Sequence, residues 1–301
     1  MRIKFIFGGF ILAGILAAVF FIYPRGPKIS VMMATYNRAD MLPGAIDSIL
    51  TQTLGDFEFI IINDGSSDQT DQIIRDYARL DKRIVYIKNV RNLGLVDSLN
   101  KGLNAARGKY IARMDDDDIS TPQRLRVQYE FMEKHPDIDV VGGRVQRLYS
   151  DILDDYPFEV DPNVYKILPY LKRTPLAHSA AFIRSDFLKK NKILYDRNFV
   201  HVEDKKFWLD IMDAGGKISS VSEMVLMYRF HRTNPASYYS IQKMMIDVFY
   251  VQLFDRFGAG TALNAMDFCG RGMILIARNK EKNLVDQALL EKMVGERCAG
   301  E

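Results

Sequence analysis

Between residues 29 and 141 the chain repeats one pattern: a short apolar run rich in β-branched residues, a polar break, then a segment with helical spacing. The apolar runs cover residues 29–34, 57–62, 84–87, 110–114 and 140–141. Each is too short for a buried helix, and each is predominantly apolar rather than alternating, as in a strand covered on both faces. The helical segments follow Asp40, run from Ser67 to about Leu80, span residues 95–106 and start at Thr121 and Pro122. Asp40 and Ser67 are the expected caps, Pro43 fits a first turn, and Leu95, Leu99 and Leu103 share one helix face. Strand and helix in alternation predict an α/β fold, a Rossmann-like doubly wound layer with a mostly parallel sheet. Such sheets take ligands beyond the carboxyl ends of their strands.

The expected strand ends carry the polar residues of interest: Tyr36 and Asn37, Asp64, and the run from Asp115 to Asp118. Adjacent carboxylates at a sheet rim repel one another, and a bound cation removes that penalty. Hard ions such as Mg²⁺ or Mn²⁺ prefer oxygen ligands and often share them with a substrate phosphate. A solvated acidic loop is the plainer alternative. Asp64, one residue past its strand, can accept hydrogen bonds from a ligand, although Asn63-Asp64-Gly65-Ser66 also reads as a turn leading into a helix. Tyr36 offers a flat face for stacking a base.

Two later segments add polar groups. Glu203-Asp204 opens a helix that continues through Phe207, Trp208 and Leu209. Negative charge is favoured at a helix start, so the pair is either a cap or a general base. Tyr228-Arg229-Phe230-His231 ends an expected strand over residues 224–230, and its functional reading puts Arg229 or His231 at a diphosphate. His178 and Trp208 are candidates for an acceptor side, and His201 is open. There is no G-x-x-x-x-G-K-[ST] loop, G-x-G-x-x-G turn, G-x-S-x-G elbow or H-E-x-x-H helix. A kinase, an ATPase and a dinucleotide oxidoreductase are thereby disfavoured.

A net charge of +3 over 301 residues gives no case for nucleic-acid binding. Only Cys269 and Cys298 occur, without C-x-x-C spacing, so neither a disulfide framework nor a cysteine zinc site is expected. Residues 5–22 form an uncharged apolar run, long enough to span a bilayer and longer than the core of most cleaved signals. The run is read as a single retained N-terminal transmembrane helix. Residues 1–27 are then anchor and linker, 28–145 the α/β layer, 146–237 a mixed segment and 238–301 a helical region.

Together these segments resemble family 2 glycosyltransferases of the GT-A fold. The resemblance rests on Ala34-Thr35-Tyr36-Asn37-Arg38, Asn63-Asp64-Gly65-Ser66, Asn92-Leu93-Gly94, residues 108–118, Glu203-Asp204 and Tyr228-Arg229-Phe230-His231. It implies that Ala34, Tyr36 and Asp64 hold the nucleotide base, commonly uracil, with Asn37 beside them on the donor side. Asp115 and Asp117 match the ends of the D-x-D signature. Asp115 or Asp116 would face ribose or sugar, Asp117 would bind Mn²⁺ or Mg²⁺, and His231 would add a metal or diphosphate contact. Asp204 matches the catalytic base, with Glu203 adjacent. The implied reaction is inverting transfer from a nucleotide-sugar, UDP-linked, to a hydroxyl of a glycan or lipid-linked acceptor. Nucleotide sugars are cytosolic in bacteria, which sets the catalytic domain on the cytoplasmic side of a bacterial membrane. The rival readings are a sugar-1-phosphate nucleotidylyltransferase, opposed by the lack of glycine over residues 35–40, and a catalytically silent nucleotide-sugar-binding subunit.

Overall fold

The computed structural model describes residues 26–148, 174–229, 268–282 and 285–298, with residues 163, 167, 169, 243–247, 249–250 and 253–254 between them. The apolar run at residues 5–22 lies outside the described residues. Among those described, no helix is long and apolar enough to cross a membrane.

The repeating pattern folds into β1 (Ile29–Thr35), α1 (Leu42–Leu50), β2 (Phe57–Asn63), α2 (Thr70–Leu80), β3 (Ile84–Lys88), α3 (Leu95–Ala105), β4 (Tyr110–Met114), β5 (Ile119–Ser120) and α4 (Arg124–Lys134). After it come β6 (Val140–Arg147), β7 (Phe182–Arg184), α5 (Ser185–Asn191), α6 (Glu203–Asp213), β8 (Ile218–Tyr228), α7 (Phe268–Lys282) and α8 (Gln287–Cys298). The strands form one sheet in the order β3-β2-β1-β4-β7-β6-β8-β5. Strands β3, β2, β1 and β4 are mutually parallel. Beyond β4 the sheet becomes mixed: β7 runs antiparallel to β4 and β6, β8 parallel to β6, and β5 antiparallel to β8. The α/β layer is therefore as expected in its first half, whereas the sheet as a whole is mixed rather than mostly parallel.

Both faces of the parallel half are covered, which is why its strands are apolar at successive positions. Val31, Met33, Phe59 and Ile61 face α1, α2 and α4, against Ile46, Ile49, Ile74 and Leu125. Met32, Ile60 and Ile62 face the other way, onto Leu99 and Leu103 of α3 and a cluster containing Phe207, Trp208 and Ile211 of α6. Glu58 is the buried exception in β2. Its carboxylate accepts from Ser30 Oγ at 2.6 Å and from the Arg107 backbone and guanidinium at 2.6–2.9 Å. Burial pushes its pKa up, but those bonds win and hold it below the usual value. A third cluster joins Phe199, Val202 and Leu209 to Phe249, Leu253, Phe254, Leu275 and Leu290, so the C-terminal helices pack back beside the start of α6.

Several expected boundaries move. Helices α1 and α2 start at Leu42 and Thr70, and neither has a side-chain cap bond. Ser67 donates its N–H to Asn37 Oδ1 at 2.8 Å, tying two loops together rather than capping a helix. Thr121 Oγ1 donates to Met224 O, and α4 begins only at Arg124. Gly142 and Gly143 do not close β6, which continues to Arg147 with a register shift after Gly142. A side chain at Gly143 would put its Cβ 2.6 Å from Val225 Cγ1, so the glycine marks close packing of β6 on β8. Ala180 closes a 3₁₀ turn and β7 starts at Phe182; β8 begins at Ile218, well before residue 224. Cys298 is disulfide-bonded.

Candidate active site

The parallel strands end together, and their following loops surround a cavity of about 680 Å³. It is lined from one side by Ala34, Tyr36, Arg38 and Asp64, from below by the acidic run, and from the other side by His178, His201, Glu203 and Asp204.

On the first side, Tyr36 is 44% exposed, with its ring available to the cavity. Asp64 is buried and already holds the loop after β3. Its Oδ1 accepts from Asn89 Nδ2 at 2.7 Å and Leu93 N at 2.9 Å, and its Oδ2 from Gly94 N at 2.8 Å. Asp64 thus shapes the wall, and a ligand would share its remaining lone pairs. The turn that presents it needs Gly65, whose φ is +74°. Asn37 is a correction. Its backbone sits at φ +52°, its N–H donates to Ser66 Oγ at 3.0 Å, and its carboxamide oxygen accepts from Ser67 N. With those bonds it clamps β1's loop to β2's loop and does not line the cavity. Arg38, next to it, does: its guanidinium lies 3.7 Å from Asp116 and 3.9 Å from Asp117.

The acidic run follows β4 directly. Carboxylate oxygens of Asp115, Asp117 and Asp118 all lie within 4.8 Å of one another, a spacing that fits one hard cation. Asp116 is not in that group and turns toward Arg38. Asp118, inside the acidic run read as a cation site but outside the D-x-D ends, is 3% exposed and accepts the Arg229 N–H at 2.9 Å. Burial, and then the charges of its neighbours, push Asp116 and Asp118 each up to about 7. Such crowding is what a divalent cation relieves. Buried Arg113, at the end of β4, makes an ion pair with Asp115. Burial alone would lower the Arg113 pKa, but Asp115 holds it protonated.

Opposite, α6 starts at Glu203 with Asp204 in its first turn, where the helix dipole favours negative charge. Burial, followed by the adjacent Asp204 charge, pushes Glu203 up to about 7. His178 Nε2 lies 2.7 Å from Tyr195 Oη. Burial, and then the Arg113 charge, keep His178 well below the ordinary histidine value, so its ring is neutral. Trp208 is the second correction. It is fully buried in the core, does not line the cavity, and stands edge-on to His178 with ring centroids 5.8 Å apart. Arg229 lines the cavity and its Nε donates to Asp117 O at 3.2 Å; His231 lies outside the described residues.

Arg38 and Arg113 were missed as site residues, and Asp118 was read only as part of the acidic run. Arg38 and Asp118 lie inside the motifs already singled out, and a third carboxylate beside D-x-D was the available signal. Arg113 carried a weaker one: a charged residue inside an otherwise apolar strand.

The Glycosyl transferase family 2 profile matches residues 30–191. An uncharacterised glycosyltransferase of Methanocaldococcus jannaschii is 38% identical over 225 residues, covering 72% of this chain and 76% of its own length. The O-antigen biosynthesis glycosyltransferase WbnJ of Escherichia coli is 32% identical, covering 67% of this chain and 80% of its own. Among solved structures, S. aureus TarS 1-349 in complex with UDP-GlcNAc superposes with a TM-score of 0.63 at 19% identity, over 84% of this chain and 73% of that one. The mannosyltransferase PcManGT of Pyrobaculum calidifontis, in complex with GDP-Man and Mn²⁺, gives 0.60 at 15% identity, over 97% and 88%. These two structures share the fold. With the profile spanning more than half of its length and relatives above 30% identity across two thirds of theirs, this chain belongs to glycosyl transferase family 2 and is a glycosyltransferase.

Proposed function

We propose that the enzyme inverts the donor's anomeric centre, moving a sugar from a nucleotide-sugar, UDP-linked, to a hydroxyl of a glycan or lipid-linked acceptor. The observation that carries this reading is the arrangement of the cavity: a cation-sized carboxylate triad and a separate carboxylate pair line the same space. Tyr36 stacks on the base and Asp64 accepts from it. Arg38 and Arg229 meet the diphosphate. The donor set fits Mn²⁺ or Mg²⁺, since it consists of crowded oxygens that are costly to ionise without a cation. Asp115, Asp117 and Asp118 would hold that ion, which supplies positive charge to the departing diphosphate when bound.

Asp204 takes the proton of the acceptor hydroxyl. The hydroxyl oxygen bonds to the sugar C1 as the C1–O bond to phosphate breaks, and the nucleoside diphosphate leaves with the electron pair. Holding donor and acceptor together supplies much of the rate. Glu203 is the second candidate for the base, because a carboxyl pushed up to about 7 is suited to exchange a proton near neutral pH. Complexes of structural neighbours with UDP-GlcNAc and with GDP-Man and Mn²⁺ support a nucleotide-sugar and a metal. The O-antigen relative supports a polysaccharide-type acceptor. Residues 5–22 are proposed to anchor the chain in a membrane, with the catalytic domain on the cytoplasmic side, on the strength of their apolar length.

The test is a screen of UDP- and GDP-sugars for thermal stabilisation with and without Mn²⁺. A nucleotide-sugar that stabilises only with metal is expected. Asp204→Asn should keep that stabilisation and lose transfer. No stabilisation by any nucleotide-sugar, with or without metal, would remove the reading.

A further inference from the structure

Strand β4 carries one charge among apolar residues. Tyr110, Ala112 and Met114 belong to the core under α1, α2 and α4, while Ile111 packs on the α3 and α6 side. By strand alternation Arg113 shares that second face with Ile111. A central strand is a costly place for a guanidinium, and Arg113 is 3% exposed. Its main chain is fixed as well: the N–H donates to Ala181 O at 3.0 Å, and the carbonyl accepts from Arg124 Nη2 at 2.6 Å.

The carboxylate that Arg113 pairs with does not need it for burial. The Asp115 side chain is 38% exposed, so water could solvate it without a partner. The cost of the pair falls on the arginine, and such a pair is weak evidence for a role in stability. What the pair fixes is a direction. Asp115 is the first residue after β4, and its carboxylate has to meet those of Asp117 and Asp118 within 4.8 Å. Those two have anchors of their own. Asp118 accepts the Arg229 N–H at 2.9 Å, and Asp117 lies 3.9 Å from the Arg38 guanidinium. Arg113 is the matching anchor for Asp115, and it is enclosed by the core, whereas the Arg38 side chain is 40% exposed. The charge of Arg113 also acts on Asp118, Tyr195, His178 and Glu203, so the plainer role is a buried counter-charge.

Resting on the proposed metal-assisted transfer, we infer that Arg113 is a positioning residue, holding the Asp115 carboxylate where it joins Asp117 and Asp118 around the cation. It acts through Asp115. The groups that orient metal-binding side chains are typically worth about 10–100-fold in metal affinity. A counter-charge alone has the opposite sign, because a fixed positive charge beside a divalent ion weakens its binding.

The experiment uses Arg113→Met and Arg113→Lys in the full chain. Mn²⁺ is titrated calorimetrically in the presence of UDP, melting temperatures are taken in EDTA, and transfer is followed across Mn²⁺ concentrations with the nucleotide-sugar that stabilises the wild type. In Arg113→Met the Mn²⁺ dissociation constant should rise about 10–100-fold. Lysine, which keeps the charge but not the planar fork, should recover part of that loss and not all of it. At saturating Mn²⁺ the methionine variant should regain a kcat within about threefold of wild type, as expected of a residue that works only through a metal ligand. Unchanged or tighter Mn²⁺ binding in Arg113→Met would reduce Arg113 to a counter-charge and leave the glycosyltransferase reading intact. If the methionine variant does not melt cooperatively in EDTA, the lysine variant decides, and wild-type Mn²⁺ binding there overturns the assignment. Restored Mn²⁺ occupancy without restored kcat would also overturn it, since Arg113 would then act on something other than Asp115. A wild type that binds neither Mn²⁺ nor any nucleotide-sugar would take down both readings together.

Discussion

Asp118→Asn should make the metal-free protein more stable while depriving it of its metal. Asp118 is 3% exposed, and burial, then Asp115, pushes it from 3.8 up to about 7. A carboxyl whose folded pKa is raised contributes stability that is full below its unfolded value and lost as pH rises toward the folded one. The window here runs from about 4 to about 7. Above it, the interval corresponds to about 4 kcal/mol as a ceiling, reduced to about 2–4 kcal/mol because Asp115 and Asp117 share the repulsion. Asparagine carries no charge, and its carbonyl can still accept the Arg229 N–H. Thermal unfolding in EDTA at pH 8 should therefore rise by about 5–10 °C in the variant. At pH 5 most of the penalty is already relieved in the wild type, and the difference should fall below half. Added Mn²⁺ should stabilise the wild type and leave the variant nearly unmoved, since a ligand of the triad has been weakened. A variant that melts at or below wild type in EDTA at pH 8, or that keeps the full Mn²⁺ shift, would refute the crowded-carboxylate account.

Gly65→Ala should destabilise the fold by about 3 kcal/mol or more in chemical denaturation. Its Cβ would lie 2.7 Å from Asn92 N at a backbone φ of +74°. Tyr36→Ala should raise the donor KM about tenfold through lost base stacking, with little change in melting temperature; an unchanged KM would remove the ring from the base site. If Glu203 is the proton acceptor, kcat/KM should climb with pH through about 7, and Glu203→Gln should erase that limb. A limb that survives in Glu203→Gln and disappears in Asp204→Asn returns the role to Asp204.

The first half of the sheet could be read from the chain because each of its strands is covered on both faces. Burial then leaves a mostly apolar run, as in residues 59–62 of β2, and apart from the bonded Glu58 the polar residues that end it fall at the strand end. The same logic located Asp64, Asp115 and Asp117 at one rim before any contact was known. The end of β6 could not be read that way. Gly142 and Gly143 look like a stop, and only the approach of β8 shows that Gly143 makes room for Val221 and Val225. Nor does spacing reveal which polar groups are already engaged. Asn37 and Asp64 sit alike at strand ends, yet one clamps a neighbouring loop and the other borders the cavity. Asp118 became a metal candidate, and Trp208 a core residue, for the same reason. Local sequence sets which groups reach the rim. The direction each side chain takes there depends on partners from distant segments, Arg229 with Asp118 and Ser67 with Asn37, which only the folded chain brings within hydrogen-bond reach.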